Sequence, residues 1–167
     1  MSFAEMDESA LAGMTSQSFA GSALFDRTFD EGMSLVAEAA RYFDGHGREE
    51  AQHLPKQTAM LYSSESLRVT TRLMQAASWL LVQRAVHEGD MAAEDAAGDR
   101  YRLGSKDICF GGAKENTTSL PRTLRSLLMR SDDLYRRIAR LEDALRSSGK
   151  RVGVHGQLAR LEQAFGA

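Results

Sequence analysis

From Lys56 to Glu88 apolar residues return every three or four positions, with no proline and no glycine before Gly89. That spacing predicts a helix from about Pro55 to Glu88, roughly 50 Å long at 1.5 Å per residue. Tyr62, Val69, Leu73, Ala77 and Leu80 cluster on one side of it, and Leu67, Thr70, Met74, Leu81 and Ala85 on the adjoining side. Together they cover close to half the circumference, which implies two neighbours and makes this the central helix. An earlier helix is predicted over 22–44, with Ser22 as N-cap and Gly45 as stop. Its apolar face is Phe25, Phe29, Gly32, Val36, Ala40 and Phe43. A third helix is predicted over 119–146. It opens at Ser119-Leu120-Pro121 and carries a seam of Leu120, Leu124, Leu127, Ser131, Leu134, Ile138, Leu141 and Leu145, widened by Leu128 and Tyr135.

The intervening stretches are polar or glycine-rich. Residues 1–21 read as a flexible N-terminal tail, and 147–167 as a flexible C-terminal tail ending in apolar Leu158, Leu161 and Phe165. Residues 45–54 read as a polar connection, and 89–118 as a long loop with a short helical piece near 91–97. Tyr101, Leu103, Ile108 and Phe110 suggest that this loop packs down on the helices. The expected fold is therefore all-α. It is an antiparallel three-helix bundle over 22–146, with a long loop between the second and third helices and a flexible tail at each end.

Composition narrows the function. Twenty-one basic against 23 acidic residues give a net charge of −2, without the basic excess of a nucleic-acid-binding domain. A single cysteine, Cys109, cannot form an internal disulfide and fits a reducing cytoplasm. The start, MSFAEMDESA, does not read as a secretion signal, and no apolar run is long enough to span a membrane. His46, His53, His87 and His155 include no pair at helical metal-ligand spacing. There is no GxSxG, and Gly111-Gly112-Ala113-Lys114 lacks the leading glycine of a phosphate loop. Cys109 reads as a small buried loop residue. The expectation is no enzyme, no metal and no cofactor.

One charged constellation lies on the second helix: Glu65 with Arg68 and Arg72. It reads either as an ion-pair network on a solvated face or as a binding surface, and spacing alone favours the first. Trp79 falls on the same polar face, near Arg68, Arg72, Gln75 and Gln83. Tryptophan and arginine are enriched at interface centres, so an interchain contact is one reading and cover by the 89–118 loop the other. The candidate partner or dimer contacts are thus Glu65, Arg68, Arg72, Gln75, Trp79 and Gln83. Tyr101, Arg102 and Leu103 are candidates in the loop; Leu158, Leu161 and Phe165 are candidates in the tail. The sticky surface left by three helices predicts a homodimer.

The second-helix string LYSSESLRVTTRLMQAASWLLVQRAVHEGD resembles the RcdA family (regulator of CtrA degradation) of alphaproteobacteria. EDAAGDRYRLGSKDICFG and LPRTLRSLLMRSDDLYRRIARLE follow in matching order, so the resemblance covers about Phe25 to Leu145. It implies homodimeric three-helix-bundle adaptors that do no chemistry. Such proteins help to deliver cell-cycle regulators to the ClpXP protease with a response-regulator-like partner. The competing expectation is a nucleic-acid-binding regulator using Arg122, Arg125, Arg136 and Arg140 on the outer face of the third helix. Against it, seven arginines over 120–146 are interleaved with four carboxylates, Asp132, Asp133, Glu142 and Asp143, which repel phosphate.

Overall fold

The computed structural model describes residues 15–111 and 117–165; the expected tail over 1–14 and the loop tip over 112–116 lie outside these. Helices α1 (Ser16–Ala20), α2 (Ala23–Asp44), α3 (His46–Gln52), α4 (Lys56–Glu88), α5 (Ala93–Ala96), α6 (Lys106–Cys109) and α7 (Arg122–Phe165) follow in order. Two 3₁₀ turns, Asp99–Tyr101 and Thr117–Ser119, complete the secondary structure, and no strand occurs among the described residues. The chain is all-α, and its three long helices α2, α4 and α7 each pack on the other two.

Helix boundaries follow local chemistry. The Ser22 side chain accepts from the Phe25 backbone N–H and caps α2. Gly89, at φ 81°, ends α4 in the left-handed conformation that glycine adopts without a Cβ clash. Residues 45–54 are not a plain connection: α3 fills most of them, tied to α4 by the Tyr62 hydroxyl donating to the Gly47 carbonyl at 2.9 Å. Nor is 15–21 a tail. Thr15 and Ser18 form a capping box for α1, which seats Phe19 in the core against Phe25 and Trp79. At the other end α7 continues past Arg146 to Phe165. Gly149, Gly153 and Gly156 weaken a helix by about 1 kcal/mol each and do not by themselves end one.

The seam predicted on α7 is the seam found: Leu120, just before it, and Leu124, Leu127, Ser131, Leu134, Ile138, Leu141 and Leu145 are all buried. On α2 the inward face is turned by one residue. Phe25, Thr28, Gly32, Leu35, Ala39 and Tyr42 are buried, while Ala40 is exposed and Val36 and Phe43 are half-buried. Gly32 lets α2 come close to α4; a Cβ there would sit 2.8 Å from Leu80 Cδ1.

The largest departure is on α4. Tyr62, Val69, Leu73 and Leu80 face inward as expected. The adjoining apolar side does not, for Leu67, Met74 and Leu81 are more than half exposed and Thr70 is exposed with them. Inward-facing instead is the polar side that carries Glu65, Arg72, Trp79 and Gln83. The helix does have several neighbours, α1, α2, α6 and α7, but it meets them with a different arc.

Candidate functional site

The buried polar side of α4 meets the backbone of the 99–111 segment. That segment has only a 3₁₀ turn and the one-turn helix α6, so most of its carbonyls and N–H groups need partners from elsewhere. The guanidinium of Arg72 is almost fully buried. Its Nε donates to the Cys109 carbonyl at 2.8 Å, Nη1 to the Leu128 carbonyl at 3.2 Å, and Nη2 pairs with Asp132 Oδ1 at 2.8 Å. Arg68 Nη1 donates to the carbonyls of Ile108 and Gly111, while its Nε pairs at 3.1 Å with Glu65, itself buried. Two arginines thus close the C-terminal end of α6, where helical carbonyls lack intrahelical partners.

The other half of the segment is held in the same way. Gln75 Oε1 accepts from Gly104 N at 2.8 Å, and Glu142 Oε1 from Leu103 N at 2.8 Å. The Tyr135 hydroxyl donates to the Gly104 carbonyl at 2.9 Å. Ser105 follows at φ 55°, a left-handed conformation that a non-glycine residue keeps only when its surroundings fix it. Arg146 donates to the Ala97 carbonyl and reaches Asp99. Phe110 stacks edge-on against Tyr135, 5.2 Å between centroids.

The electrostatics match this burial. Burial lowers the proton affinity of Arg72, and the nearby Asp132 carboxylate opposes that shift. Burial pushes the Cys109 thiol above its ordinary range, with Tyr135 and Arg72 pulling the other way, so the thiol is not activated. Burial likewise raises Tyr135 above the usual tyrosine value. The charges hold backbone in place; no nucleophile is paired with a base among them. No group of three or more His, Cys, Asp or Glu among the described residues is placed to hold a metal ion. An open cleft of about 450 Å³ between α3 and the start of α7 is lined by His46, Glu49, Glu50, His53 and Leu120. Its Glu50 is taken up by the Tyr42 hydroxyl at 2.7 Å and His46 at 3.3 Å.

The six α4 candidates therefore do not form an outward surface. Glu65, Arg72, Trp79 and Gln83 are buried, and Arg68 and Gln75 are half-buried under the 99–111 segment. Trp79 is covered by Phe19 of α1, 6.0 Å away between rings. Of the loop candidates Leu103 is core, Tyr101 is half-buried beneath the Arg100 guanidinium, and Arg102 is exposed beside Asp99. Leu158 and Leu161 are exposed on the distal part of α7, and the Phe165 side chain lies outside the described residues. The outer face of α4, with Met60, Leu67, Met74 and Leu81, was missed as a surface, although its seven-residue spacing stands in the sequence.

Comparison with known proteins places the chain in a family. Residues 16–165 match the family model described as Protein of unknown function (DUF1465). No curated protein matches the chain. Among solved structures, RcdA from Caulobacter crescentus CB15 aligns at 48% identity and a TM-score of 0.64, over 77% of this chain and 96% of that one. With nearly the whole of that relative matched at this identity, the chain belongs to the RcdA family.

Proposed function

We propose that this protein is a non-enzymatic adaptor that helps to deliver cell-cycle regulatory proteins to the ClpXP protease in the cytoplasm. On this reading α2, α4 and α7 form an antiparallel three-helix bundle that acts as a homodimeric scaffold for cargo and for a response-regulator-like partner. The observation that carries it is the 48% identity to RcdA over 96% of that chain. The buried polar constellation supports it indirectly, because its charged groups are spent on the chain's own backbone. Partner contacts then fall to groups left at the surface: Arg102 with Tyr101, and Leu158 with Leu161. Arg68, Arg72 and Gln75, with Glu65 bracing Arg68, act by holding the segment that carries Tyr101 and Arg102 in place, while Trp79 and Gln83 lie in the interior. No helix among the described residues is long and apolar enough to cross a membrane.

Nucleic-acid binding through α7 has less to stand on. Of the outer-face arginines Arg136 is engaged with Asp132, and the neighbouring Arg130 and Arg137 are engaged with Glu38 and Glu31 of α2. The deciding experiment is degradation of a candidate regulator by purified ClpXP, with and without this protein and a response-regulator partner. Faster loss of the regulator only when this protein is present is the expected result. An unchanged degradation rate for every regulator that binds the protein would overturn the proposal.

A further inference from the structure

The outer face of α4 is long, apolar and uncovered. Met60, Leu67, Met74 and Leu81 recur at seven-residue intervals and are 68%, 61%, 65% and 53% exposed. They form a strip of about 32 Å at 1.5 Å per residue. A repeat of seven residues is the seam along which two helices pack knobs into holes, not the arc of a solvated helix.

Four of the hydroxyls on this strip are already satisfied. Ser63 and Ser64 hydroxyls donate to the carbonyls of Ala59 and Leu61, both at 3.0 Å. Thr70 and Thr71 donate to Ser66 and Leu67 at 2.9 and 2.8 Å. Covering the strip therefore strands none of these four donors, which removes the usual penalty for drying a hydroxyl-bearing surface. Its charges lie at the two ends, Lys56 at the start of α4 and Glu88 at its close, both exposed. Glu88 already meets Arg84 of its own helix at 3.3 Å, and Lys56 adds a second cation to that carboxylate only if the two ends are brought together.

We infer that this face is where two copies of the chain pair, antiparallel, about a two-fold axis between Thr70 and Thr71. Reversing the strip about that point sets Met60 on the partner's Leu81 and Leu67 on the partner's Met74, so each large side chain meets one of the other kind. The same operation brings Lys56 within one helical turn of the partner's Glu88 and opposes the two helix dipoles. A parallel pairing stacks Lys56 on Lys56 and Glu88 on Glu88. This self-complementarity selects a second copy over an unrelated helix. The inference gives a face and a register to the homodimer proposed above.

Sedimentation of the full-length protein at micromolar concentration, together with cysteine cross-linking, tests it. Wild type should be a dimer. Leu67→Glu should weaken the dimer about a hundredfold or more, since each change is made twice across the axis. Its helical signal and melting temperature should stay put, because Leu67 is exposed within one chain. Lys56→Glu and Glu88→Lys should each weaken the dimer, and the two together should restore it. Thr71→Cys should cross-link to itself, and Ser63→Cys only to Ser78→Cys; the native Cys109 is buried and does not compete. A wild-type monomer overturns the homodimer and this face together. An undiminished dimer in Leu67→Glu overturns the face and leaves the homodimer standing. Self-cross-linking of Ser63→Cys overturns the antiparallel register. The degradation assay above reads adaptor activity separately from all of these.

Discussion

Replacing Arg72 by methionine keeps most of the side-chain volume and removes every donor that ties α4 to the 99–111 segment through this residue. The Cys109 and Leu128 carbonyls lose a charged donor, and Asp132 loses one of its two cations. Breaking a buried ion pair costs about 3–5 kcal/mol. Asp132 is one quarter exposed and keeps Arg136, so the low end of that range applies, about 3 kcal/mol. For a domain of this size each kcal/mol is worth about 2–4 °C, so the melting temperature should fall by about 6–12 °C. Arg72→Lys keeps the charge without the planar fork and should recover only part of this loss. Urea denaturation followed by circular dichroism gives the global number. The rate at which Cys109 reacts with a thiol reagent under native conditions gives the local one, because the Cys109 carbonyl is the acceptor being lost. Destabilisation below about 1 kcal/mol, with Cys109 still unreactive, would refute the clamp and return Arg72 to an ordinary packing role.

Other expectations are as direct. Leu73→Ala, in the core where α4 meets its neighbours, should cost about 2–5 kcal/mol in the same denaturation assay. Trp79→Ala and Phe19→Ala remove two sides of one ring contact, so the double variant should lose measurably less than the sum of the singles. Burial holds the Tyr42 and Tyr135 hydroxyls un-ionised above the ordinary value of 10.0. The stability this lends is complete at neutral pH and is lost only as alkali ionises them, so in an absorbance titration both should lag behind the unfolded chain. Leu158→Glu with Leu161→Glu should leave the melting temperature unchanged and slow cargo degradation, since both side chains are exposed.

The three long helices were legible because local chemistry marks them: Ser22 as a cap, Gly89 as a left-handed stop, and the leucine seam of α7, whose continuation past Arg146 to Phe165 was hidden by the glycine-bearing stretch that follows. The orientation of α4 was not legible, and the reason is physical. A helical wheel assumes that what covers a helix is apolar. One strip of α4 is covered by the backbone of an irregular segment, whose bare carbonyls and N–H groups select arginine and glutamine on α4 as neighbours. The wheel therefore reads the inner polar face as solvated and the outer apolar face as core. The alternative of loop cover for Trp79 named the right kind of effect but the wrong element, since α1 supplies the ring that touches it. Helix α1 itself was hidden by brevity: five residues carry no period, and only the Thr15–Ser18 capping box marks its start.

The manner in which the 99–111 segment is fastened also sets the order in which the molecule comes apart. A helix is held by its own ladder of backbone bonds, so opening it means unfolding it. This segment hangs on a few side chains rooted in α4 and α7, which stay folded when those bonds break. Its amides should exchange with solvent through an opening of lower free energy than the global one, as a separate cooperative unit. Each such opening bares Arg68, Arg72 and the thiol of Cys109 together. The native ensemble accordingly includes a rare form with an intact helical frame, in which Arg68 and Arg72 keep Glu65 and Asp132 but give up the segment's carbonyls, its population set by the strength of two arginine clamps.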